Sequence, residues 1–385
     1  MTQAQTMDAK LIALIEDKTK ALQAAQDPVE RAIVHNERAL LYQRAAAYDE
    51  ALADMEQAIA LQPKQAVFYN NRGDIYHQNG DKERALADFN KAIDLEPKRA
   101  DFYTRRGNAY VHKGDQGDRL RAIKDFTRAI ELESDNAIHY NNRGMTYYSR
   151  GDLAEAIKDY TQAIALNGQD ALYYGNRGDA YHLLGEKDDA ISDYTQAIEL
   201  KPKHAGYYNS RGNAYAKKGD KGDRLQAISD YTKAIELNPQ QAVFYNNRAN
   251  TYYSRGDFAE AIEDFTQAID LQPYYAVAYN NRAYAYVRHG DHHRAVVDYT
   301  KAIELSDGSD ALLYANRGFA YAGRGDLPRA IEDYTRAIAL DSYQGAVYRQ
   351  RAKAYETLGN EDKALDDYKR AAELGDGEAI RRMQA

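Results

Sequence analysis

The sequence predicts an all-α protein in which antiparallel helical hairpins stack as a solenoid. Three observations support this: a motif that recurs about every 34 residues, apolar and small residues spaced as on two helices within each copy, and a turn signal between those helices. A hairpin of this length cannot bury its apolar face alone, so successive copies are expected to stack on one another.

Ten copies, numbered here as repeats 1 to 10, fill most of the 385 residues. Positions within each repeat are counted from its first residue. The repeats cover residues 32–65, 66–99, 100–136, 137–170, 171–204, 205–241, 242–275, 276–310, 311–344 and 345–378. Residues 1–31 precede them as an N-terminal capping segment, and residues 379–385 follow as a C-terminal tail.

Both terminal segments are expected to be partly helical. Met7 to Gln26 is predicted to form a helix that caps repeat 1, because terminal repeats need a polar outer face. Glu378 to Met383 is predicted to form a short closing helix. The residues expected on the apolar side of the N-terminal helix are Leu11, Leu14, Ile15 and Leu22.

Small and aromatic residues define the two helices of each repeat. Position 8 is Gly or Ala, position 11 is Tyr, positions 20 and 27 are Ala, and position 24 is aromatic except at Met55. A Gly-Asp pair such as Gly80-Asp81 stands between the helices in most repeats, where Gly can take a left-handed C-cap conformation and Asp can cap the next helix. The pairs Asp152 with Glu155, and Asp257 with Glu260, have capping-box spacing.

Arg at position 7 and Asp at position 23 occur in all ten repeats. In an antiparallel hairpin that turns near position 15, these two positions lie at about the same height. We therefore predict a ladder of Arg–Asp pairs, made either within a hairpin or across to the next one. A ligand-binding role for the arginines is the alternative, but the matching aspartates favour a structural role.

Repeats 3 and 6 each contain three extra residues, which are expected in the internal turns at Gly114–Leu120 and Gly219–Leu225. The repeats that follow them share the sequence Thr-Tyr-Tyr-Ser-Arg-Gly, at 146–151 and 251–256. A block of three hairpins was therefore duplicated. The acidic pairs in the two turns, Asp115 with Asp118 and Asp220 with Asp223, lack the further oxygen ligands of a calcium loop.

The repeated motif resembles the tetratricopeptide repeat family over residues 32 to 378. The resemblance implies a right-handed superhelix whose first helices line a concave groove, with positions 2, 5, 6, 9, 12 and 13 facing that groove. This chain departs from the family pattern by having Arg at position 7 where Leu is common, and no Trp at position 4.

Asparagine is frequent at two of the implied groove positions, and it carries both a donor and an acceptor that could bind the main chain of an extended peptide. The alternative is that these amides bond neighbouring helices or remain solvated. Tyr148, Tyr253, His77 and His182 at position 12 could add side-chain selectivity. The candidate peptide-binding asparagines are Asn70, Asn141, Asn209, Asn246 and Asn280 at position 5, and Asn71, Asn142, Asn176, Asn247, Asn281 and Asn316 at position 6.

Several other activities find no support in the residues. The family's carboxylate clamp needs two lysines where this chain has Asn36 and Asp101, although Arg105 matches. His289, His292 and His293 lack the paired ligands of a metal site, and no phosphate-binding, dinucleotide-binding or nucleophile motif occurs, so no metal, cofactor or enzymatic activity is expected. There is no Cys, and therefore no disulfide or thiolate.

The charge and hydropathy of the chain limit the classes of partner that are expected. A net charge of −8 disfavours nucleic acid, no apolar run could span a bilayer, and Met1 to Lys10 does not resemble a secretory signal, so a cytoplasmic location is expected. The leading hypothesis is a non-enzymatic scaffold that binds extended segments of other proteins. The alternatives are a self-associating architectural protein and, with less support, an RNA-binding helical repeat. The sequence does not indicate the partner, the pathway or the oligomeric state.

Overall fold

A computed structural model describes residues 3–384, with side chains described from Ala9 to Gln384. Met1, Thr2 and Ala385, which belong to the predicted terminal segments, lie outside the described residues. The described part of the chain forms twenty-two α-helices and no strand, and within each of its two compact units consecutive helices pack against each other, as in a helical solenoid. The predicted fold class is therefore confirmed.

The helices divide into two compact units, Met1–Leu200 and Lys201–Ala385, with five hairpins in each. The first helices of the hairpins are α2 (Pro28–Arg44), α4 (Ala66–Gln78), α6 (Ala100–Lys113), α8 (Ala137–Arg150), α10 (Ala171–Leu184), α12 (Ala205–Lys218), α14 (Ala242–Arg255), α16 (Ala276–His289), α18 (Ala311–Gly323) and α20 (Gly345–Thr357). The second helices are α3 (Tyr48–Leu61), α5 (Lys82–Leu95), α7 (Gln116–Leu132), α9 (Leu153–Leu166), α11 (Lys187–Leu200), α13 (Lys221–Leu237), α15 (Phe258–Leu271), α17 (His292–Leu305), α19 (Leu327–Leu340) and α21 (Glu361–Glu373). None of the described helices has a stretch long and apolar enough to cross a membrane.

Two further helices flank the repeats. The N-terminal helix α1 covers Gln3–Ala24 and packs against α2, with Leu14 about half exposed although it was expected on the apolar side. The C-terminal helix α22 covers Gly377–Gln384 and packs against α21, which confirms the predicted closing helix.

The turn between the two helices of a hairpin follows the Gly-Asp prediction in repeat 2. Gly80 has a φ of 86°, a left-handed conformation that glycine adopts without steric cost. The side chain of Asp81 then accepts a hydrogen bond from the backbone N–H of Arg84 at 2.9 Å. This cap satisfies one of the free N–H groups at the start of α5.

The capping boxes expected at Asp152 and Asp257 do not form. Both residues precede a helix, but neither side chain accepts a backbone hydrogen bond there. Each carboxylate instead pairs with an arginine of the preceding helix, Arg150 at 3.3 Å and Arg255 at 3.1 Å. The prediction was wrong at these two turns because a nearby guanidinium competes for the carboxylate.

The three extra residues of repeats 3 and 6 lengthen the second helix rather than the turn. Helices α7 and α13 each contain 17 residues, whereas α9 contains 14. The left-handed Gly114 and Gly219 already complete the reversal, so the residues that follow are free to enter the helix. The prediction of longer internal turns was therefore wrong.

The interior of each hairpin depends on close approach between positions 8 and 24. A Cβ atom added to Gly178 would lie 2.9 Å from the ring of Tyr194, closer than real contacts allow. Ala at positions 20 and 27, such as Ala190 and Ala197, is fully buried. Small residues at these positions therefore let the two helices approach around one aromatic ring.

The Arg–Asp ladder forms within hairpins, in every one of the ten repeats. In each pair the Nε–H donates to Asp Oδ2 at 2.7–2.8 Å and Nη2–H donates to Oδ1 at 2.6–2.8 Å. This fork-to-carboxylate geometry is the strongest form of charge-assisted hydrogen bonding. The pairs are Arg38–Asp54, Arg72–Asp88, Arg106–Asp125, Arg143–Asp159, Arg177–Asp193, Arg211–Asp230, Arg248–Asp264, Arg282–Asp298, Arg317–Asp333 and Arg351–Asp367.

The same arginines also connect consecutive hairpins. Arg177 Nη1–H donates to Thr161 Oγ1 of the preceding hairpin at 3.0 Å, and its guanidinium lies 5.9 and 5.8 Å from the ring centroids of Tyr174 and Tyr181. Arg38 makes the corresponding bond to Thr19 of α1 at 2.9 Å, so α1 takes the place of a preceding repeat. The equivalent inter-hairpin bonds link Arg106 to Asn90, Arg143 to Thr127, Arg248 to Thr232, Arg282 to Thr266, Arg317 to Thr300 and Arg351 to Thr335.

Replacing Asp193 with Ala should leave the guanidinium of Arg177 without its carboxylate in a mostly buried place. We expect a loss of about 3 kcal/mol in local stability, the lower end of the range for a broken buried pair. Hydrogen exchange of the repeat 5 amides would measure it without requiring two-state unfolding. Arg128→Ala, which breaks the exposed pair with Glu131, should have a much smaller effect, because water screens an exposed ion pair. Strictly additive losses in the Arg177→Leu, Asp193→Ala double variant would contradict the proposed coupling.

Candidate functional site

The first helices of neighbouring repeats lie side by side within each compact unit, for example α2 beside α4 and α14 beside α16. We call the surface formed by positions 2, 5, 6, 9, 12 and 13 of these helices the first-helix face. All candidate binding residues from the sequence belong to it. Hydrogen bonds that cross from one first helix to the next show how its side chains are arranged.

Asparagine side chains bridge adjacent first helices in a regular way. The Nδ2 of position 6 donates to the Oδ1 of position 5 in the preceding repeat. The observed bonds join Asn71 to Asn36 at 2.8 Å, Asn176 to Asn141 at 2.9 Å, Asn247 to Asn209 at 3.0 Å and Asn281 to Asn246 at 3.4 Å. These amides therefore fix the distance between first helices, the structural role considered as an alternative.

Three of the five candidate asparagines at position 5 are less accessible than those at position 6, whereas Asn209 and Asn280 are half-buried like them. Asn70, Asn141 and Asn246 at position 5 are buried beneath the first-helix face. At position 6, Asn71 and Asn176 are half-buried, and the Oδ1 of each makes no hydrogen bond with any described residue. In these two repeats, position 6 therefore keeps an unused acceptor while its donor bonds the neighbouring helix.

Repeat 4 contains an asparagine whose whole amide is unused. Asn142 has no side-chain hydrogen bond to the described residues, because repeat 3 has Thr104 at position 5 and that hydroxyl pairs with His139 at 3.0 Å. Asn316 also departs from the pattern, since its Nδ2 donates to the Tyr284 hydroxyl at 2.7 Å. As a consequence, the buried Oδ1 of Asn280 has no partner among the described residues.

A charged pair replaces the amide bridge between repeats 2 and 3. Arg105 stands at position 6 and donates to Asp74 rather than to Asn70, whose buried Oδ1 remains without a partner in the described structure. Burial raises the pKa of the Asp74 carboxyl to about 6, while Arg105 acts in the opposite direction and Asp101 adds to the rise.

The position 12 candidates are half-buried at the side of the first-helix face. Burial, and the charge of Asp179 nearby, raise the pKa of Tyr148. His77 stacks edge-on with His112 at 4.9 Å between ring centroids, and burial lowers its pKa. His182 is likewise half-buried in repeat 5.

In the second compact unit, the face contains two neighbouring depressions that share Asn250. A depression of about 190 Å³ is lined by Asn250, Tyr253, Asn281 and Tyr284. The other, of about 340 Å³, is lined by Asn213, Ala216, Lys217, Tyr231, Asn247, Asn250, Thr251 and Ser254. Two of the candidate asparagines and Tyr253 therefore border concave surface.

A row of exposed aliphatic side chains at position 2 was missed by the sequence analysis. These side chains are 40–55% exposed, unusual for large apolar groups that recur at one position. The family resemblance implied that position 2 faces the groove, but only asparagine, tyrosine and histidine side chains were predicted there as binding residues. The row comprises Ile33, Ile138 and Leu172 in the first unit, and Val243, Val277 and Leu312 in the second.

The histidines of repeat 8 do not form a ligand cluster with other residues of the described chain. No three His, Asp or Glu side chains in residues 9–384 converge as a metal site would require. The ring of His292 instead lies against Gly323 of the next first helix.

Mutation can distinguish a position 6 asparagine that bridges two first helices from one that makes no bridge. Asn176→Ala removes the bond to the buried Asn141 and should destabilise repeats 4 and 5 by about 1–2 kcal/mol, the cost of an unsatisfied buried acceptor. Asn142→Ala removes no such bond and should leave stability unchanged. Hydrogen exchange of α8 and α10 amides would compare them, and equal losses in both variants would contradict the assigned bridge.

Family models described as tetratricopeptide repeat or TPR repeat match the chain along most of its length. The matched residues are 47–80, 73–114, 144–185, 178–219, 205–241, 242–275, 276–308, 311–343 and 346–374. No curated protein matches the chain in a sequence comparison.

Three solved structures illustrate the likeness. A tetratricopeptide repeat protein from Parabacteroides merdae ATCC 43184 is 24% identical, with 66% of this chain and 98% of that chain covered at a TM-score of 0.50. MamA is 28% identical over 44% of this chain and 95% of its own, at a TM-score of 0.40. YrrB, a TPR protein with an unusual peptide-binding site, is 26% identical over 48% and 92%, at a TM-score of 0.41. The first of these structures is similar in fold. The family models match repeats along most of the sequence, and the chain therefore belongs to the tetratricopeptide repeat family.

Proposed function

We propose that this protein is a non-enzymatic scaffold whose first-helix face binds extended segments of other proteins. The observation that carries the proposal is the exposed aliphatic row at position 2, which runs beside the half-buried asparagines of position 6. An extended peptide presents main-chain donors and acceptors together with side chains. The face offers a partner to each.

The apolar row supplies affinity. Covering one exposed aliphatic side chain removes its surface from water, and full burial of such a side chain stabilises by about 1.5–3 kcal/mol. Partial burial of three side chains in one compact unit, such as Ile33, Ile138 and Leu172, would support binding in the micromolar range, about 8 kcal/mol, only together with polar contacts. The free Oδ1 atoms of Asn71 and Asn176 and the whole amide of Asn142 are positioned to supply those contacts.

The scaffold holds these groups in place before a ligand arrives. Asn176 is tied to Asn141, and the first helix that carries it is fixed by the Arg177–Asp193 pair. Side chains ordered in advance lose less entropy on binding. A preordered row of neutral amides and aliphatics, in a chain with net charge −8, suits a protein segment better than a phosphate backbone.

Selection from a display library of random 12-residue peptides, followed by fluorescence anisotropy with the enriched peptides, tests this proposal. Leu172→Asp and Ile138→Asp place a charge in the apolar row and should weaken binding at least tenfold. Both residues are about half exposed, so folding should be preserved.

A matched control is Leu120→Asp, which changes an equally exposed leucine on the second helix α7. It should leave peptide binding unchanged. The proposal would be overturned if no peptide is enriched, or if all three variants bind the enriched peptides like the unmodified chain. Tight capture of single-stranded RNA in a filter assay, or light scattering that rises with concentration, would favour the alternative functions.

A further inference from the structure

Asp179 in repeat 5 carries a charge that the fold does not require. Its Oδ1 accepts a hydrogen bond from the Tyr194 hydroxyl at 2.7 Å, which ties the first helix of the repeat to the second. In repeat 6 the same position is Asn213, whose Oδ1 accepts the corresponding bond from Tyr231 at 2.8 Å. A neutral amide therefore performs the same structural task.

No cation of the described chain neutralises this carboxylate. The other acidic residues on the same part of the face have partners: Asp74 pairs with Arg105, and Asp101 pairs with Arg99 at 2.8 Å. The surroundings of Asp179 are instead uncharged, with the Tyr194 hydroxyl bonded to it and the Tyr148 and Tyr160 hydroxyls nearby. Burial raises the pKa of this carboxyl, as expected when the charged form loses water without gaining a counter-ion.

Exposed apolar side chains lie on the helix that carries the uncompensated charge and on the neighbouring first helix. Ile138, Met145, Leu172 and Leu183 of repeats 4 and 5 are each at least two-fifths exposed, and all occupy positions 2, 9 or 13 of the first-helix face. A lysine or arginine side chain combines an apolar stem with a charged end, so it can cover such surface while its charge meets a carboxylate. The face of a tyrosine ring adds attraction for the same cation.

We propose that repeats 4 and 5 select a Lys or Arg side chain, flanked by apolar residues, in the bound segment, with Asp179 as its counter-ion. This inference rests on the proposed function and adds the chemistry of the partner. The unpaired amide of Asn142 lies on the same pair of helices and would bond the main chain beside the cation.

The duplicated block supports a specific role for this position. Repeat 8 is the copy that corresponds to repeat 5, and it has Tyr284 where repeat 5 has Asp179. Tyr284 packs edge-on against Tyr299 at 5.8 Å and accepts the Asn316 bond. The charge is therefore a property of the first compact unit, and the second unit presents a neutral surface at the equivalent place.

Parallel selections test the inference. A library of random 12-residue peptides is displayed against the full chain and, separately, against Asp179→Asn. The asparagine keeps the acceptor for Tyr194, as Asn213 does for Tyr231, so thermal unfolding of the variant should match that of the unmodified chain. The unmodified chain should enrich peptides with Lys or Arg between apolar residues, and the variant should lose this enrichment.

The leading peptide and its lysine-to-norleucine analogue are then compared by calorimetry. The unmodified chain should prefer lysine about tenfold or more, since close charge pairs at interfaces couple strongly. The Asp179→Asn variant lacks this charge pair, so its preference for lysine should be less than about twofold. Glu155→Gln removes one exposed charge from α9 and should retain the full preference.

The outcomes separate this inference from the proposed function. Peptides could bind the face while the unmodified chain and Asp179→Asn prefer lysine equally. That result would overturn the counter-ion role and leave the proposed peptide binding intact. Failure to enrich any peptide with either protein would overturn the proposed function itself. Selection of acidic peptides by the unmodified chain would also contradict the inference.

Discussion

The guanidinium at position 7 is the group on which the rest of the structure depends. It bonds the aspartate of its own hairpin with two nitrogens, and in most repeats the third reaches a hydroxyl or amide of the preceding hairpin, as Arg177 does with Asp193 and Thr161. Arginine alone among side chains offers a rigid planar fork with several donors. A lysine here could satisfy one of these partners at a time, and a leucine none.

The ladder contributes more to specificity than to net stability. The aspartates are almost fully buried, and Asp193 has lost most of its hydration. The Coulomb attraction of such a pair approximately offsets the cost of desolvating both charges. A slip of either helix by one residue, however, rotates its partner out of reach and leaves a buried charge unpaired. The pairs therefore penalise wrong registers, which matters in a chain whose repeats are similar enough to stack out of order.

The sequence predicted the features that depend on local spacing. Helix positions follow from the period of small and aromatic residues, and the pairing of Arg177 with Asp193 follows from their equal heights in a hairpin. Features that depend on competition in space were not predictable. The Asp152 side chain pairs with Arg150 and therefore does not cap the following helix. Asn141 and Asn176 bond each other only because two first helices approach closely. Position 2 was expected to face the groove, but the degree to which its aliphatic side chains stay exposed depends on the packing of neighbouring helices and was not predicted.

A constant ladder leaves the first-helix face free to vary. Arg and Asp recur without exception at positions 7 and 23, while position 9 changes from Asn108, Met145 and Asp179 in one copy of the duplicated block to Asn213, Asn250 and Tyr284 in the other. Because the ladder fixes register with buried groups, a substitution at position 9 can alter the surface while the stack is kept, as Asp179 and Asn213 both accept the bond from the tyrosine of the second helix. Duplication then yields two surfaces on one type of scaffold, and divergence at a single position per repeat is enough to give them different chemistry.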